Sequence, residues 1–547
     1  MKKQFTLLAL ALAATLGVAT ATSYDWLSGA GDWTDTGWTT NGIPVSPVWN
    51  SSSTGIIHSG TMNLTPTANP GSQIAAVHLH PGIGSVDLNI SGDLSLAERL
   101  RMGSDSVDSG TATITQTAGT VTLDITTFIG QRGSGENIYN LDGGTLSGVK
   151  LYVAANETAS GTLNINGGAL DMSGYSYLGY STGNTGVLNM PDGTAFMTRL
   201  YVGNNGTGTA NIGGGTLNTS AKVYIGSVAG STGVLNLSNG MLHCTDWLYV
   251  GTAGSGSFYQ TGGTAELYKV GIGYYTGSDG IISISGGSFT ASNYIYGRYG
   301  NSIFEVDGSG ATKIDVNAVV FNKSTDILRF KLDENGSTRL DAPGIYGSYG
   351  IDLANSTVEV GIIAGFDGVV GDTYDLMWTP YGFNTNGTIF SSTGNAKFDF
   401  GIVSKDGGQV LQATLSTSRY DQWTIDYNLT GDDAAATADP DGDGLDNLYE
   451  YGLGGDPTNS ADRGISPAYA MEESGGTNWM TYVYPKRLDS GLAYYLELTE
   501  DLVYGTWLNS GYDVMGIGTI DAEFDAVTNR IAVGSEDEKF IQLIIEQ

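Results

Sequence analysis

The chain is short of several things that catalytic and nucleic-acid-binding proteins rely on, and each shortage excludes something. Cys244 is the only cysteine, so no disulfide forms within the chain, and between Leu242 and Thr245 it reads as a small core side chain. Histidines number only 4, and no Ser-His-Asp or Cys-His arrangement can be traced among them. His78 and His80, in VHLHP, share a face of an extended segment. With no third ligand beside them they read as core or surface histidines rather than metal ligands. Basic residues number 23 against 56 acids, a formal net charge of −33. That balance repels nucleic acid and anionic membranes while favouring solubility and cation binding, so a nucleic-acid partner is excluded. Proline is scarce at 12, and the 82 glycines follow no three-residue period, which excludes collagen. Charged residues make up 14% of the chain while tyrosines number 31, the balance of a turn-rich β-protein rather than a disordered one.

Long apolar runs are almost missing too. The one that exists, Phe5 to Val18, follows Met1-Lys2-Lys3 and precedes Ala19-Thr20-Ala21. A basic start, a short apolar run and a small-x-small site make residues 1–21 a Sec signal peptide, with the mature chain beginning near Thr22. A membrane span needs roughly 18 or more apolar residues, and neither this run nor any later one reaches that. The expectation is a protein secreted or placed at the cell surface, with no transmembrane anchor after the signal is removed.

What the chain has instead is a repeat. LYVGNNGTGTANIGGGTLNTSAK, VYIGSVAGSTGVLNLSNGMLHC and WLYVGTAGSGSFYQTGGTAELY restate one phrase. Its glycines fall at Gly119, Gly144, Gly168, Gly193, Gly215, Gly240, Gly263, Gly287 and Gly308, between 21 and 25 residues apart. A second marker closes each LYVG phrase, from Gly103 and Gly130 on to Gly273 and Gly297, with Ala154 standing in once. Two markers advancing together mean one structural unit repeated. Each unit holds three short alternating segments between Gly, Ser or Asn turns. This spacing predicts an all-β chain built on a right-handed parallel β-helix, with about 24 residues and three short strands per turn.

Alternation assigns the faces. Leu200 and Val202, Val223 and Ile225, Leu248 and Val250 point inward, as do Leu163, Ile165, Leu235 and Leu237. Two outward columns follow: Lys150, Arg199, Lys222 and Lys269, with Trp247 in the same register, and beside them Tyr152, Tyr177, Tyr201, Tyr224 and Tyr249. A third outward ladder is Asn140, Asn164, Asn189, Asn211 and Asn236. Like side chains stacked at β spacing stabilise one another, which is one reading of these columns. The other is that the tyrosine-basic stripe is a ligand-binding face for glycans or another cell-surface or matrix protein. Trp26, Trp33 and Trp38 likewise read as the cover of the first turn, or as an aromatic sugar patch.

The most specific chemical pattern is DPDGDGLDNLYE. Asp439, Asp441, Asp443, the Leu445 carbonyl, Asn447 and Glu450 occupy positions 1, 3, 5, 7, 9 and 12 of a twelve-residue loop, with Gly444 at the sharp turn. That is the oxygen set of a calcium loop, so calcium is the expected cofactor, in a structural rather than sensory role. In order, the chain divides into the leader 1–21, an N-terminal cap and first turns 22–83, and β-helix repeats 84–312. An irregular β cap 313–419, a short helix and calcium loop 420–464, and a small antiparallel, sandwich-like β-domain 465–547 complete it.

The GTLNINGG- and LYVG-type rungs resemble autotransporter passenger-type β-helix repeats of bacterial surface proteins, and the tryptophan-rich start resembles the opening of such passengers. DPDGDGLDNLYEYGLGGDP, followed by YYLELTEDL and a final FIQL, is similar to a C-terminal module of secreted proteins in Verrucomicrobia-, Planctomycetes- and Lentisphaerae-like bacteria. Its loop resembles EF-hand, thrombospondin type-3 and dockerin loops. The chain departs from these families in having no membrane β-barrel, no sorting motif and no second dockerin loop, so self-delivery through an outer membrane is not implied. The resemblance implies a non-enzymatic structural or adhesin-like surface component. The alternative is a carbohydrate-binding or polysaccharide-processing β-helix, a lyase or hydrolase. Such chemistry needs paired acids on adjacent rungs, and Asp142, Asp171, Asp192, Asp246 and Asp279 share no common face in the sequence pattern.

Overall fold

The computed structural model describes residues 22–26, 30–32, 38–40, 43–44, 52–64, 73–103, 105–156, 158–363, 366, 368–393, 396–474, 477–488, 490–521, 523–533 and 539–546. Residues 1–21, read from the sequence as a signal peptide, and Trp33 lie outside them.

Strand alternation and glycine corners produce a parallel β-solenoid with three ladders. The first contains the LNL-type segments. It runs without a break from Ala30–Asp32 through Thr162-containing Ser160–Ile165 and Thr232–Leu237 to Ile389–Ser392, every pairing parallel. The third, containing the LYVG-type segments, runs from Thr22–Trp26 to Phe383–Asn384 in the same way. The second lies between them and starts where Ile74 meets Leu96. It ends at Thr373–Thr379, where Gly408–Thr417 pairs antiparallel and Lys397–Lys405 adds one more antiparallel strand.

The faces fall as the alternation requires. Leu163, Ile165, Leu200, Val202, Val223, Ile225, Leu235, Leu237, Leu248 and Val250 are all fully buried, and Cys244 is buried beside them. Because every rung contributes such residues, one continuous apolar column forms, in which each rung is buried by its neighbours. The corner glycines are a steric necessity. Gly203, Gly226 and Gly251 take φ of 71°, 70° and 70°, and a Cβ on Gly203 would run into the carbonyl of Thr232 on the next rung. Ala154 adopts the same left-handed corner at φ 65°.

The glycine period stops at Gly308, but the ladders do not. Asp326–Leu332, Thr357–Ile362 and Ile389–Ser392 still stack in parallel register on Asn301–Asp307. Strand pairing depends on alternation along the strand, so corners can lengthen into loops while the rungs persist. At the other end Trp26 and Trp38, both buried, meet edge to face at 5.7 Å.

Beyond the solenoid, helix α1 (Arg419–Asp426) starts on a capping box: the Ser418 hydroxyl accepts from the Asp421 N–H at 2.9 Å, and Asp421 accepts from the Ser418 N–H. Helix α2 (Asn447–Leu453), which the sequence pattern did not foretell, is capped by Asp446 and stopped by Gly454 at φ 82°. Tyr420 and Trp423 of α1 pack with Tyr451 and Leu453 of α2 and Ile545. Two antiparallel sheets follow. One has four strands, in the order Ala468–Ser474, Thr477–Arg487, Phe524–Val533, Asp513–Thr519; the other pairs Ala493–Thr499 with Phe540–Glu546. Leu496 and Leu498 of the second pack against Tyr484, Val527 and Ile531 of the first. Arg487 ties the sheets to α2 by donating to the Tyr451 carbonyl at 2.6 Å.

Candidate cation site and aromatic face

The acidic loop leads directly into α2. Gly442 and Gly444, at φ 74° and 90°, fold it back on itself. Asp439 occupies the middle of the turn. Its Oδ1 accepts from the N–H groups of Gly442 (2.9 Å) and Asp443 (3.2 Å), and its Oδ2 accepts from Gly444 (3.0 Å). Asp441 Oδ1 accepts from the Asp443 N–H at 3.1 Å, and Asp443 Oδ1 from the Leu445 N–H at 2.8 Å. These bonds draw the three carboxylates together, with an oxygen from each inside a 4.8 Å span. The Leu445 side chain joins the α1–α2 core, which fixes the backbone at that position.

The remaining acceptors are left facing one another. Asn447 is fully buried; its amide donates to the carbonyls of Asp433 (2.7 Å) and Ala435 (2.8 Å), which leaves Oδ1 without a partner. Glu450 is also fully buried, and neither of its carboxylate oxygens meets a donor. Asp441 Oδ2 and Asp443 Oδ2 are in the same condition. Arg463 Nε lies 3.2 Å from Asp443 Oδ2 but off the hydrogen-bond direction, so it offsets only part of the charge. Burial, followed by the charges of Asp441, Asp443 and Asp439, pushes the Glu450 carboxyl up to about 7. Burial and the neighbouring carboxylates raise Asp441 too. Buried acceptors without donors are costly in themselves, and crowding negative charge onto them adds to the cost. A positive ion among them removes both penalties, so the Asp439, Asp441 and Asp443 cluster can chelate a cation. Its donors are all oxygen, the set a hard ion prefers.

The outward columns of the solenoid are arranged differently. Tyr152, Tyr177, Tyr201, Tyr224 and Tyr249 stack ring on ring at 5.0, 4.7, 4.7 and 5.3 Å, with interplanar angles of 8° to 21°. Phe128 extends the stack at 5.1 Å. Tyr180 and Tyr274, each following a corner glycine, pack edge-on against Tyr152 and Tyr249. Burial and the neighbouring phenols raise the hydroxyls of Tyr177, Tyr249 and Tyr296 well above their ordinary value, so all stay neutral. The asparagine ladder is complete as well: Asn164, Asn189, Asn211 and Asn236 each donate at 2.8 Å to the asparagine one rung back.

The basic column is mixed. Tyr175 stands in register with Arg199, and Trp247 with Lys269. Arg199 lies 4.9 Å over Tyr175, Lys222 5.9 Å over Tyr249, and Lys269 5.2 Å over Trp247 and 5.3 Å over Tyr294. Lys150 sits on the same edge, in register with Thr126. Sequence reasoning passed over Phe128, Tyr175, Tyr294, Tyr296 and Arg298. Tyr180, Tyr274 and Arg298 each follow the glycine that closes a rung's LYVG-type phrase, and that shared position is their signal in the sequence.

Two smaller groups were also read from sequence. His58 joins the histidine pair, its ring 5.6 Å from that of His80 and its Nε2 3.2 Å from Asp25 Oδ1. His80 Nδ1 lies 3.7 Å from Asp108 Oδ2, and burial with nearby Arg101 lowers His78 to about 3. Among the rung acids, Asp142 accepts from Asn166 (2.7 Å) and Asp279 from Asn301 (2.6 Å), each an amide one rung on.

Fold and sites together define a parallel β-solenoid with a self-stacked aromatic face, joined to a small antiparallel module holding an acidic cluster able to chelate a cation. Comparison with protein-family models, with curated proteins and with solved structures returns no match to this chain.

Proposed function

We propose that the protein is an exported, non-enzymatic solenoid of the autotransporter-passenger kind, a structural or adhesin-like component of a bacterial surface or its surroundings. In this reading a calcium ion holds the C-terminal module. Its ligands are Asp439, Asp441, Asp443, the Leu445 carbonyl, Asn447 and Glu450, in the order of a twelve-residue calcium loop. The observation that carries the calcium assignment is the set of buried, partnerless oxygens on Asp441, Asp443, Asn447 and Glu450. Structural zinc sites are built from Cys and His, and the loop supplies neither. Export rests on the leader-like residues 1–21. The structural role is supported by side-chain columns that satisfy one another from rung to rung, leaving the aromatic-basic stripe as the face offered to glycans or to another surface protein.

The test has two arms. Titrating metal-stripped full chain with calcium, followed by calorimetry, is expected to show one tight site per chain that Glu450→Gln weakens at least tenfold; no heat of binding overturns the calcium assignment. Incubation with acidic and neutral polysaccharides is expected to release neither reducing ends nor unsaturated sugars. Turnover that survives purification overturns the non-enzymatic reading.

A further inference from the structure

The tyrosine stack breaks at one rung, and the break makes a cleft. In the register that carries Tyr249 and Tyr296, the intervening residue is Gly271. A Cβ there would lie 3.1 Å from the Tyr249 ring, so Tyr249 leans over the space where a ring is missing. Beyond it the rings no longer lie parallel. Trp247 meets Tyr294 and Tyr296 at 76° and 80°, and Tyr346 closes on Tyr294 at 5.0 Å. The cleft they enclose has a volume of about 270 Å³ and is also lined by Arg298 and Lys323. Stacking side chains that satisfy one another leave little to offer a ligand. Here Trp247 still stacks on Tyr249 at 5.1 Å, but Trp247, Tyr294, Tyr296 and Tyr346 together line an open space.

The charge around the cleft is unusual for this chain. Among the described residues, Lys150, Arg199, Lys222, Lys269 and Arg298 form no ion pair with a carboxylate, and all of them but Lys150 lie over aromatic rings, the Arg298 guanidinium 4.6 Å from Tyr274 and 5.2 Å from Tyr296. Further along the same solenoid the cations are neutralised. Arg329 pairs with Glu305 and Glu359, Lys331 with Glu305, Arg339 with Asp341 and Asp406, and Lys405 with Asp375. With 56 acids in the chain, a row of cations spared any carboxylate marks a face whose counter-charge comes from elsewhere. Lys323, the other cation at the cleft, differs in that its backbone N–H donates at 3.0 Å to the carboxylate of Asp326, which is fully buried behind Gly297.

We infer that this cleft, with the basic edge leading to it, binds a linear acidic polysaccharide, a uronate unit seating its carboxylate on Arg298 and Lys323 and its ring against Trp247 and Tyr294. This rests on reading the stripe as a face offered to glycans, and it names their class. Guanidinium forks match carboxylates, and aromatic faces match the C–H faces of sugar rings. The repeating edge runs along the solenoid at roughly 4.8 Å per rung, so successive sugars of an extended chain meet successive cation-aromatic rungs. The acidic body of the protein opposes a polyanion at long range, but salt screens that field beyond about 8 Å, leaving the local contacts to decide.

The experiment is calorimetry of the full chain with short oligogalacturonates, with neutral cello-oligosaccharides in parallel, on wild type, Lys269→Gln/Arg298→Gln and the distant Lys405→Gln. Unchanged circular dichroism and melting confirm that each variant is folded. The expected result is binding of the acidic probe alone, weakened at least tenfold by the double change and untouched by Lys405→Gln. Equal binding of both probes, or acidic binding indifferent to the double change, overturns the acidic-ligand assignment while leaving a glycan-presenting face. Binding of neither probe overturns both. Salt-sensitive self-association that the double change abolishes, seen without glycan binding, makes the face a contact for the acidic body of another copy and also overturns the inference.

Discussion

The solenoid and the loop at Asp439–Glu450 meet the same problem, polar groups away from water, in opposite ways. The solenoid answers by repetition. An asparagine outside one rung finds an asparagine on the next at 2.8 Å, and a tyrosine finds a tyrosine at 4.7 Å. In these two ladders every added rung supplies the partner for the one before it, so the ladders need nothing from solution. The loop has no next copy. It gathers acceptors that lack a donor, and only something added from outside can complete it. Closure by repetition gives a scaffold whose stability is spread along its length. Closure by an ion, as proposed for the loop, makes the stability of a module rise and fall with ion concentration.

The largest expected effect separates the two directly. A chelator should unfold the C-terminal module at temperatures where the solenoid stays intact, since an ion at a hundredfold its dissociation constant contributes about 2.7 kcal/mol. Trp423, packed against Tyr451 in the core beside the loop, is a natural reporter. Two transitions are expected, of which only one moves with calcium. A single melting curve indifferent to calcium would sink the comparison.

Asp326 is one of several buried solenoid side chains with an unpartnered atom, Gln131 and Asn137 among them, and as the one whose burial raises a carboxyl it tests the solenoid's self-sufficiency. It is fully buried, one oxygen accepts from the Lys323 N–H at 3.0 Å, and the other has no partner. Burial raises its pKa from 3.8 to about 6, the Ser302 hydroxyl opposing. A raised carboxyl favours the folded state while protonated. That stabilisation is complete below pH 3.8 and is lost as pH rises through about 6. Asp326→Asn should therefore gain up to about 3 kcal/mol over wild type at pH 7 and nothing at pH 3.5. A stability difference between the two proteins that does not change across that window contradicts the assignment.

These regions were not equally legible in the sequence. The inward residues, the tyrosine and asparagine columns and the Asp439, Asp441 and Asp443 cluster could all be read beforehand, because each follows from a local rule: period two, a fixed step, or a ligand spacing. Less was visible where the rule is broken. Past Gly308 the corners lengthen and the glycine marker fails, yet rungs such as Thr357–Ile362 persist, because pairing follows strand alternation rather than corner chemistry. Helix α2 was hidden within the loop pattern, since Asp446 and Gly454 cap only seven residues between them. Tyr175 and Tyr294 escaped notice because a column searched for like residues conceals the alternation of cation and ring.

Removing one ring sharpens the claim about repetition. Tyr201 stacks on both sides, with Tyr177 and Tyr224 each at 4.7 Å. Aromatic pairs contribute about 0.5–1.5 kcal/mol beyond burial, so Tyr201→Ala should cost about 1.5 kcal/mol. Tyr201→Phe should cost almost nothing, because the stack uses the ring and not the hydroxyl. If Phe is as damaging as Ala, the column is held by hydroxyl contacts and the stacking account is wrong.

The smallest effect concerns a corner where alanine stands in place of glycine. Ala154 holds φ 65° where the equivalent positions 203, 226 and 251 are glycine. The left-handed conformation costs an L-residue about 1–2 kcal/mol, which Ala154→Gly removes. Against this, glycine gives the unfolded chain more freedom, a loss of roughly 0.5–1 kcal/mol. The Ala154 methyl is also fully buried, and its deletion forfeits up to about 0.8 kcal/mol. The terms nearly cancel, so the change in stability should stay within about 0.5 kcal/mol of zero. At Gly203, the reverse change meets the Thr232 carbonyl and has no such compensation. Measured by denaturant unfolding, a near-neutral Ala154→Gly beside a damaging Gly203→Ala would show that a solenoid corner demands a conformation, which glycine meets most cheaply and one alanine meets at a cost its neighbours absorb. A clear loss for Ala154→Gly would mean that the methyl, and not the backbone, decides that rung.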